Sequence, residues 1–119
     1  MTDSRAHSFP GSKRLKTGKE FETLRKKGRL YKTPHFLVYV LKNTEGGCRL
    51  GLTVSRKVGN SPERNRVKRL LREFFRRQLQ VACQDRDFSI VARPGASLLR
   101  FDQVVEELGG LKRFGNSRG

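Results

Sequence analysis

The sequence predicts an α/β fold, in which helices pack against a β-sheet. Three runs rich in apolar and β-branched residues are typical of strands, at residues 36–41, 48–54 and 88–92. Three other stretches have the apolar spacing of helices, at about residues 17–28, 61–83 and 101–112. Because the two kinds of element alternate along a short chain, we expect them to share one core.

The length of the chain limits the number of domains. With 119 residues, 34% of them apolar, the chain can bury one modest core. We therefore expect a single domain over residues 17–113, preceded by a basic, mobile segment at 1–16 and followed by a disordered tail at 114–119. The first 16 residues contain Asp3 and Pro10 and lack an apolar segment, so they do not resemble an export signal. A cytoplasmic location is the resulting expectation.

Local signals set the expected ends of the helices. Thr17 is a candidate N-cap that forms a capping box with Glu20, and Gly28 should stop the first helix. Ser61 is predicted to cap the central helix, with Pro62 at its first position. The central helix should extend to about residue 83.

The first two predicted strands are expected to pair directly. Residues 36–41 form an almost continuous apolar run, and residues 48–54 alternate between apolar and polar. The segment at 43–47 contains Asn43, Gly46 and Gly47, which favour a turn. The pattern therefore predicts an antiparallel hairpin.

Cysteine and histidine residues do not suggest a metal centre. Cys48 and Cys83 are two thiols without the spacing of a metal motif, and we interpret them as reduced residues of the core or a strand. A disulfide between them is the alternative. His7 and His35 lie far from each other and from both cysteines in the sequence. The chain is thus expected to carry no metal site and no cofactor.

The strongest compositional signal is charge. The chain contains 27 Lys and Arg residues against 11 Asp and Glu, a formal net charge of +16. Much of this charge lies within the segments expected to fold, so a disordered tail alone does not account for it. Such an excess favours a polyanion partner, above all a nucleic acid. A membrane surface is the weaker alternative, because no apolar run approaches the ~18 residues needed to span a bilayer.

The central helix divides the apolar and basic residues between two faces. At 100° per residue, Val67, Leu71 and Phe74 fall on one arc, which should pack on the sheet. The opposite arc carries Asn65, Lys68, Arg69, Arg72 and Arg76, and Arg66 flanks it. The densest part of this basic face, from the start of the helix, is the cluster Arg64, Asn65, Arg66, Lys68, Arg69 and Arg72. Like charges at this spacing destabilise a helix unless an anion offsets them. A solvated surface is the structural alternative, but a solvated face usually mixes charges of both signs, whereas this one is mostly arginine, which suits bidentate phosphate contacts.

Aromatic residues are the candidates for stacking on nucleic-acid bases. Phe21, Phe36 and Tyr39 could take this role, although a position in the core is the simpler interpretation of Phe36 and remains open for Phe21. Tyr39 is the most promising because a tyrosine on a strand can present its ring on an open sheet face. Phosphate contacts give affinity, so selectivity would come from such stacking and from shape.

These residues carry a family resemblance. The run Gly-Leu-Thr-Val-Ser-Arg-Lys-Val-Gly-Asn at 51–60, followed by Arg-Asn-Arg-Val-Lys-Arg-Leu-Leu-Arg-Glu at 64–73, resembles the bacterial ribonuclease P protein component and its RNR signature. The segments at 19–28, 36–39 and 90–94 resemble the same family, so the likeness covers about residues 13–112. The RNR segment is its most specific part.

The resemblance implies a fold and an activity. The family is an α+β two-layer sandwich with three helices, a mixed sheet of about four strands and a left-handed βαβ crossover, although general rules favour the right-handed form. It implies a subunit of the ribonucleoprotein endonuclease that releases the mature 5′ end of tRNA from its precursor. The catalytic RNA subunit would hold the active site and its magnesium ions. The protein's partners would be that RNA and the 5′ leader of precursor tRNA, with no membrane and no small-molecule substrate.

The resemblance also implies roles for individual residues. The RNR cluster of the central helix would bind the RNA subunit. A cleft between the first helix and the sheet would bind the leader through Phe21, Arg25, Leu37, Tyr39, Arg56 and Lys57. The family commonly has a second aromatic residue four positions after Phe21. This chain has Arg25 there, so we expect a phosphate contact in place of a stacked base. No residue of the chain is expected to be catalytic.

Three other classes of protein are alternatives to this interpretation. A ribosomal or translation-associated RNA-binding protein would share the basic helix but would act on a different RNA. A protein nuclease that uses metal ions would need clustered carboxylates, and the sequence offers only the pair Asp85 and Asp87, with no partner evident for His35. A helix-turn-helix DNA reader fits poorly, because strands flank a single basic helix.

Overall fold

The computed structural model describes residues 18–43, 46–80 and 85–115. Their main elements are α1 (Gly18–Lys27), β1 (Arg29–Lys32), β2 (Phe36–Lys42), β3 (Arg49–Thr53), α2 (Ser61–Phe74), β4 (Arg86–Ala92) and α3 (Phe101–Leu108). A π-helical turn at Phe75–Leu79 extends α2, and 3₁₀ segments occur at Ala96–Leu98 and Gly109–Gly115. The predicted mobile segment at 1–16, the cap at Thr17 and the thiol at Cys83 lie outside the described residues, as does most of the predicted tail.

The four strands form one mixed sheet in the order β1-β2-β4-β3. The β1–β2 and β2–β4 pairs are antiparallel, whereas β3 and β4 are parallel. The unit β3–α2–β4 is therefore a βαβ crossover between neighbouring parallel strands. The predicted α+β class with a four-stranded mixed sheet is confirmed, and the left hand of the crossover stays a prediction.

The predicted hairpin between the first two long strands is wrong, because β4 lies between β2 and β3. Phe88 and Ile90 of β4 are completely buried, which favours a central place in the sheet. The chain between β2 and β3 therefore connects strands that are not neighbours in the sheet. Asn43 N bonds to Asp85 O at 2.8 Å on the way.

β1 was not predicted from the sequence. It consists of Arg-Leu-Tyr-Lys, it lacks an apolar run, and three of its four residues are exposed. Its pairing with β2, Leu30 opposite Tyr39, makes it an edge strand. Edge strands are often short and charged, because this prevents them from pairing with other chains. Such a strand lacks the apolar run from which strands are predicted.

One face of the sheet, here called the core face, packs against α2 and α3. It carries Phe36, Val38 and Val40 of β2, with Phe88 and Ile90 of β4, all at most 4% exposed. The apolar sides of the two helices complete the core with Val67, Leu71, Phe74, Val104, Leu108 and Leu111. The predicted inward face of the central helix is thus confirmed.

The boundaries of α2 differ from the prediction at both ends. Asn60, not Ser61, is the N-cap: its Oδ1 accepts from Glu63 N at 2.9 Å, and Glu63 Oε1 accepts from Asn60 N at 2.8 Å. The regular α-helix ends at Phe74 and continues as the π turn instead of running as an α-helix to residue 83. The wider turn places Phe75 beside Phe74 in the core, both completely buried. Likewise α3 ends at Leu108 and continues as a 3₁₀ segment.

The other face of the sheet, here called the open face, is covered in part by α1. Leu24 is the only buried residue of this helix. The chain leaves α1 at Gly28, whose amide bonds to Leu24 O at 2.8 Å. A Cβ at Gly28 would lie 2.6 Å from Leu24 O and 2.8 Å from Val40 O, so the approach of α1 to β2 requires glycine.

Within the described part of the chain, no helix is both long and apolar enough to span a lipid bilayer.

Candidate nucleic-acid interface

The orientation of α2 determines which of its side chains face outwards. Its N-terminus is held by the Asn60 capping box, and its inner side by Val67, Leu71 and Phe74, each at most 1% exposed. The opposite side therefore faces solvent. We call its outermost residues, Asn65, Lys68, Arg69 and Arg72, the basic ridge.

The first two arginines of the predicted cluster make contacts within the protein. Arg64 folds back on the start of the helix, where Nε donates to Gly59 O and Nη2 donates to Ser61 Oγ, both at 3.1 Å. Arg66 donates from Nη1 to Ser97 O at 2.9 Å, which links α2 to the segment after β4. These bonds fix the direction of each guanidinium group.

The ridge itself is cationic, and two of its three cations lack a partner within the described residues. Lys68 and Arg69 make no hydrogen bond or ion pair with any residue in the described ranges. Arg69 and Arg72 are exposed. Cations without a partner inside the protein are the ones that a phosphate backbone can stabilise.

The ridge ends at Arg72, because the next two arginines, Arg76 and Arg77, form ion pairs with Glu73. Arg76 Nη2 and Arg77 Nε each lie 2.9 Å from Glu73 Oε2, and the Arg77 guanidinium also stacks over the Phe101 ring at 5.3 Å. Helical periodicity placed Arg76 on the basic face, but its charge is already paired. Phosphate contacts are therefore expected to stop at Arg72.

The second predicted surface lies on the open face. Leu37 and Tyr39 alternate with the buried residues of β2, so both point to the open face and are half-buried. Their neighbours in register are Val91 and Ser89 of β4, and Thr53 of β3 lies beyond Val91. Together these residues form a floor beside α1, in which Leu37, Tyr39 and Val91 are half-buried and Ser89 is 3% exposed.

α1 forms one wall of this floor. Its buried residue Leu24 lies between two flanks of the helix, because 100° per residue places Glu20 on one side of it and Phe21 on the other. Phe21 is half-buried, and Arg25, one turn later, is exposed. We call the space between the Phe21 flank and the floor the cleft. Phe36, the third candidate for stacking, is 1% exposed on the core face and belongs to the core.

The connection between β3 and α2 joins the two surfaces. It carries the exposed residues Arg56 and Lys57 and is folded by a bond from Val58 N to Ser55 O at 3.0 Å. Because β3 contributes to the floor and α2 carries the ridge, this connection lies next to both. The structure thus groups the predicted residues into a ridge, a cleft and a basic connection between them.

Sequence reasoning missed several residues of the cleft. Val91 and Thr53 on the floor, and Leu30 and Lys32 of β1 at its edge, share the open face with Tyr39. Alternation along 88–92 could have indicated Val91, but the side of the sheet depends on the register with β2. Leu30 is 49% exposed, which is unusual for a leucine and extends the apolar floor.

His35, for which the sequence offered no partner, is paired in the structure. Its Nδ1 lies 2.8 Å from Glu107 Oε1, and its backbone N donates to Glu107 Oε2 at 2.7 Å. Thr33 Oγ1 donates to the same carboxylate at 2.5 Å. Burial would raise the pKa of Glu107, but the hydrogen bonds from Thr33 and His35 and the charge of His35 outweigh it and lower that pKa. The cluster ties α3 to the turn between β1 and β2.

The remaining acidic residues near the sheet are also engaged. Asp87 accepts two bonds from Arg49, and Asp85 Oδ1 accepts from Arg86 Nη1 at 2.6 Å. Across the described ranges, no three His, Cys, Asp or Glu side chains converge in a way that could hold a metal ion.

Comparison with known proteins identifies the family. The ribonuclease P family model matches residues 9–114 of the sequence. This chain belongs to the ribonuclease P protein family. The match includes α1, the whole sheet and the ridge, and it confirms the resemblance read from the RNR segment.

Individual relatives agree with this assignment. The chain is 38% identical over 106 residues to a ribonuclease P protein component from Desulforapulum autotrophicum, covering 89% of this chain and 91% of the relative. It is 44% identical over 109 residues to one from a Geobacter species, covering 91% and 90%. Among solved structures, the Staphylococcus aureus RNase P protein superposes with a TM-score of 0.76 at 30% identity, covering 87% of this chain and 95% of that one. The Thermotoga maritima RNase P protein gives 0.74 at 34% identity, covering 84% and 96%.

Proposed function

We propose that this chain is the protein subunit of ribonuclease P and assists the endonucleolytic removal of the 5′ leader from precursor tRNA. Membership of the ribonuclease P protein family supports a role in tRNA 5′ processing. The structural observation that supports the proposal is the arrangement of the two candidate RNA-binding surfaces. A cationic ridge and a partly aromatic cleft lie on either side of one basic connection. Such a protein can hold two RNA segments at once, one by each surface.

The ridge is suited to the catalytic RNA subunit. Lys68, Arg69 and Arg72 present their charges from a rigid helix, so few conformations are lost when phosphates bind. Arg64 is pre-oriented by Gly59 and Ser61 beside them. A regular row of cations suits the backbone of a folded RNA, whose recognition depends on shape and phosphate position.

The cleft is suited to a single-stranded leader. The half-buried ring of Tyr39 and the Phe21 flank of α1 offer surfaces on which unpaired bases can stack. Arg25 adds a cation where the family commonly has a second aromatic residue, so a leader phosphate is its proposed ligand. Arg56 and Lys57 would continue the contact towards the ridge.

Bond cleavage is assigned to the RNA subunit in this proposal. The magnesium ions would be bound there, and the protein would need no cofactor of its own. The engagement of Asp85, Asp87 and Glu107 in contacts within the protein supports this division of labour. Cytoplasmic location and the partners named above, the catalytic RNA and precursor tRNA, complete the proposal.

A reconstitution experiment tests the function. The purified chain alone should leave precursor tRNA intact, and the RNA subunit at moderate magnesium should cut slowly without it and efficiently with it. Cleavage by the protein alone would contradict the proposal. Stable association with ribosomes, with no effect on tRNA maturation, would favour a translation-associated RNA-binding protein instead.

The cleft is tested separately with Tyr39→Ala. The reconstituted holoenzyme carrying this change should lose affinity for precursor tRNA by about tenfold, since stacking contributes roughly 1–3 kcal/mol per base. Its affinity for mature tRNA, which has no leader, should stay unchanged. An equal loss for both RNAs would show that the ring has only a structural role.

A further inference from the structure

An ion cluster anchors α1 to the sheet at the end of the helix where it is least packed. Arg49 of β3 donates from Nε and Nη2 to the two carboxylate oxygens of Asp87 on β4, at 3.0 and 2.8 Å. Its Nη1 donates to Glu20 Oε2 of α1 at 3.1 Å. Asn43 Nδ2 adds a bond of 2.8 Å to Asp87 Oδ1. The side chains of Arg49, Glu20 and Asp87 are only 19%, 33% and 9% exposed.

Apolar packing alone holds α1 weakly. Leu24 is its one buried side chain, and the helix has ten residues, too few to be stable in isolation. An open pocket of about 250 Å³ lies here, lined by Thr23 and Leu24 on the helix and by Leu41 on β2. The Glu20–Arg49 bond crosses the same space, so a polar contact supplies what close packing does not.

The anchor lies on the flank of α1 opposite to the cleft. Glu20 and Phe21 stand on either side of Leu24 around the helix. A helix held by a single apolar residue can roll about that contact. Such a rotation of α1 would change the distance of Phe21 and Arg25 from Tyr39. The hydrogen bond between Glu20 and Arg49 opposes this rotation.

We propose that Glu20 and Arg49 are positioning residues for leader binding: they fix the rotation of α1 and thereby the width of the cleft. The inference rests on the proposed role of the cleft. It assigns no RNA contact to either residue. Arg49 links the sheet to α1, because its guanidinium group binds Asp87 through two nitrogens and Glu20 of α1 through the third.

The direction of the expected effect separates positioning from simple electrostatics. Glu20→Gln raises the net charge of +16 by one, and an added positive charge should strengthen binding to any RNA. Loss of the anchor should instead weaken binding of the leader. Glu22 provides the matched control, because it lies on the same helix, is 55% exposed and, among the described residues, pairs only with Lys26 at 3.3 Å.

The test measures dissociation constants of the reconstituted holoenzyme for precursor and mature tRNA, with wild type, Glu20→Gln, Glu22→Gln and Arg49→Lys. The ratio of mature to precursor constants reports the leader contribution. We expect Glu20→Gln to lower this ratio roughly three- to tenfold, as expected when a partly buried charged hydrogen bond is removed. Arg49→Lys, which keeps the charge and loses the fork, should do the same, and Glu22→Gln should match wild type.

Two further readouts make the outcome decisive. Affinity for the RNA subunit should stay within about twofold of wild type, which shows that the variants are folded and that the ridge is intact. Combining Glu20→Gln with Tyr39→Ala should give less than the sum of the two losses, because both act through the cleft. An unchanged ratio in Glu20→Gln, or additive losses in the double variant, would overturn the positioning role even where Tyr39→Ala alone confirms the cleft.

Discussion

Individual basic residues of one motif have different structural roles. Arg64 and Arg66 are bonded to backbone or side-chain oxygen atoms of the protein, while Lys68 and Arg69 have no partner among the described residues. Equal charge therefore does not mean equal availability to RNA. The same holds for carboxylates, since Glu107 is enclosed by donors whereas its neighbour Glu106 is exposed.

Glu107→Gln should destabilise the protein in a pH-dependent way. The folded-state pKa of Glu107 lies below the ordinary value of 4.5, so its charge stabilises the fold above that pH and the contribution is lost as pH falls further. At pH 7 the variant should lose about 1–3 kcal/mol of unfolding free energy, since donors from Thr33 and His35 lose a charged acceptor. Thermal or urea unfolding at pH 7 and pH 3.5 measures this, and the difference from wild type should shrink in acid. Glu106→Gln is the control, and a loss in Glu107→Gln that grows towards acid pH would contradict the assignment.

At the scale of elements, α2 serves both the core and the candidate interface. Its apolar side closes the core, and its polar side is ordered by caps and side-chain bonds at its N-terminal end. The bond from Arg66 to Ser97 connects this end to the segment that follows β4. The orientation of the ridge thus depends on a contact made by a member of the RNR cluster itself.

Arg66→Ala should reduce stability as well as any RNA affinity. Loss of its bond leaves the Ser97 carbonyl without that donor, and we expect a cost of about 1 kcal/mol in the free energy of unfolding. Lys68→Ala removes the same charge without a bond to the protein and should change stability by less than about 0.5 kcal/mol. Urea denaturation of both variants makes the comparison. Equal stability of the two would show that the Ser97 contact contributes nothing.

The elements also show what could be predicted from sequence. Periodicity identified α2, α3 and the three long strands, because each buries one apolar side. It could not reveal β1, whose four residues are mostly exposed, nor the order of the strands, which depends on long-range pairing. The hairpin prediction failed because it followed the common rule that strands adjacent in sequence pair, whereas here β4 lies between β2 and β3.

The candidate site divides in the same way. The four residues of the ridge could be predicted from helical spacing alone. The same spacing also placed Arg76 on this face, but it could not show that Arg76 is paired with Glu73, one turn earlier on the helix. The cleft needs the register of three strands, so Val91 and Thr53 could not be assigned to it from sequence. The ion cluster that anchors α1 could not be predicted either, because Glu20, Arg49 and Asp87 are distant in the sequence and meet only in the folded protein.

At the scale of the whole molecule, charge is distributed unevenly over the surface. The net charge of +16 includes arginines whose charge is already compensated, such as Arg49, Arg76 and Arg86. Affinity for RNA should therefore depend on the accessible cations of the ridge more than on total charge. The salt dependence of binding distinguishes the two.

Arg69→Ala should flatten the salt dependence of RNA-subunit binding. Each lost phosphate contact lowers the slope of log affinity against log salt by roughly 0.7–0.9. Arg76→Ala removes an equal charge that Glu73 already pairs, and its slope should equal that of wild type. Filter-binding or fluorescence titrations between about 50 and 200 mM salt provide the measurement. Identical slopes for wild type and both variants would show that Arg69 does not contact a phosphate of the RNA subunit.

The position of β4 has a consequence for how the molecule is made. β4, one of the two inner strands, comes last of the four in the sequence and is the last of them to leave the ribosome, and β2 and β3 share it as their common partner. A nascent chain that has emerged only through α2 already bears its arginines but lacks the β4 part of the groove floor and the Asp87 carboxylate that helps to dock the first helix. Maturation of the groove must therefore await the C-terminal third of the polypeptide, and such late, long-range closure is a source of slow folding.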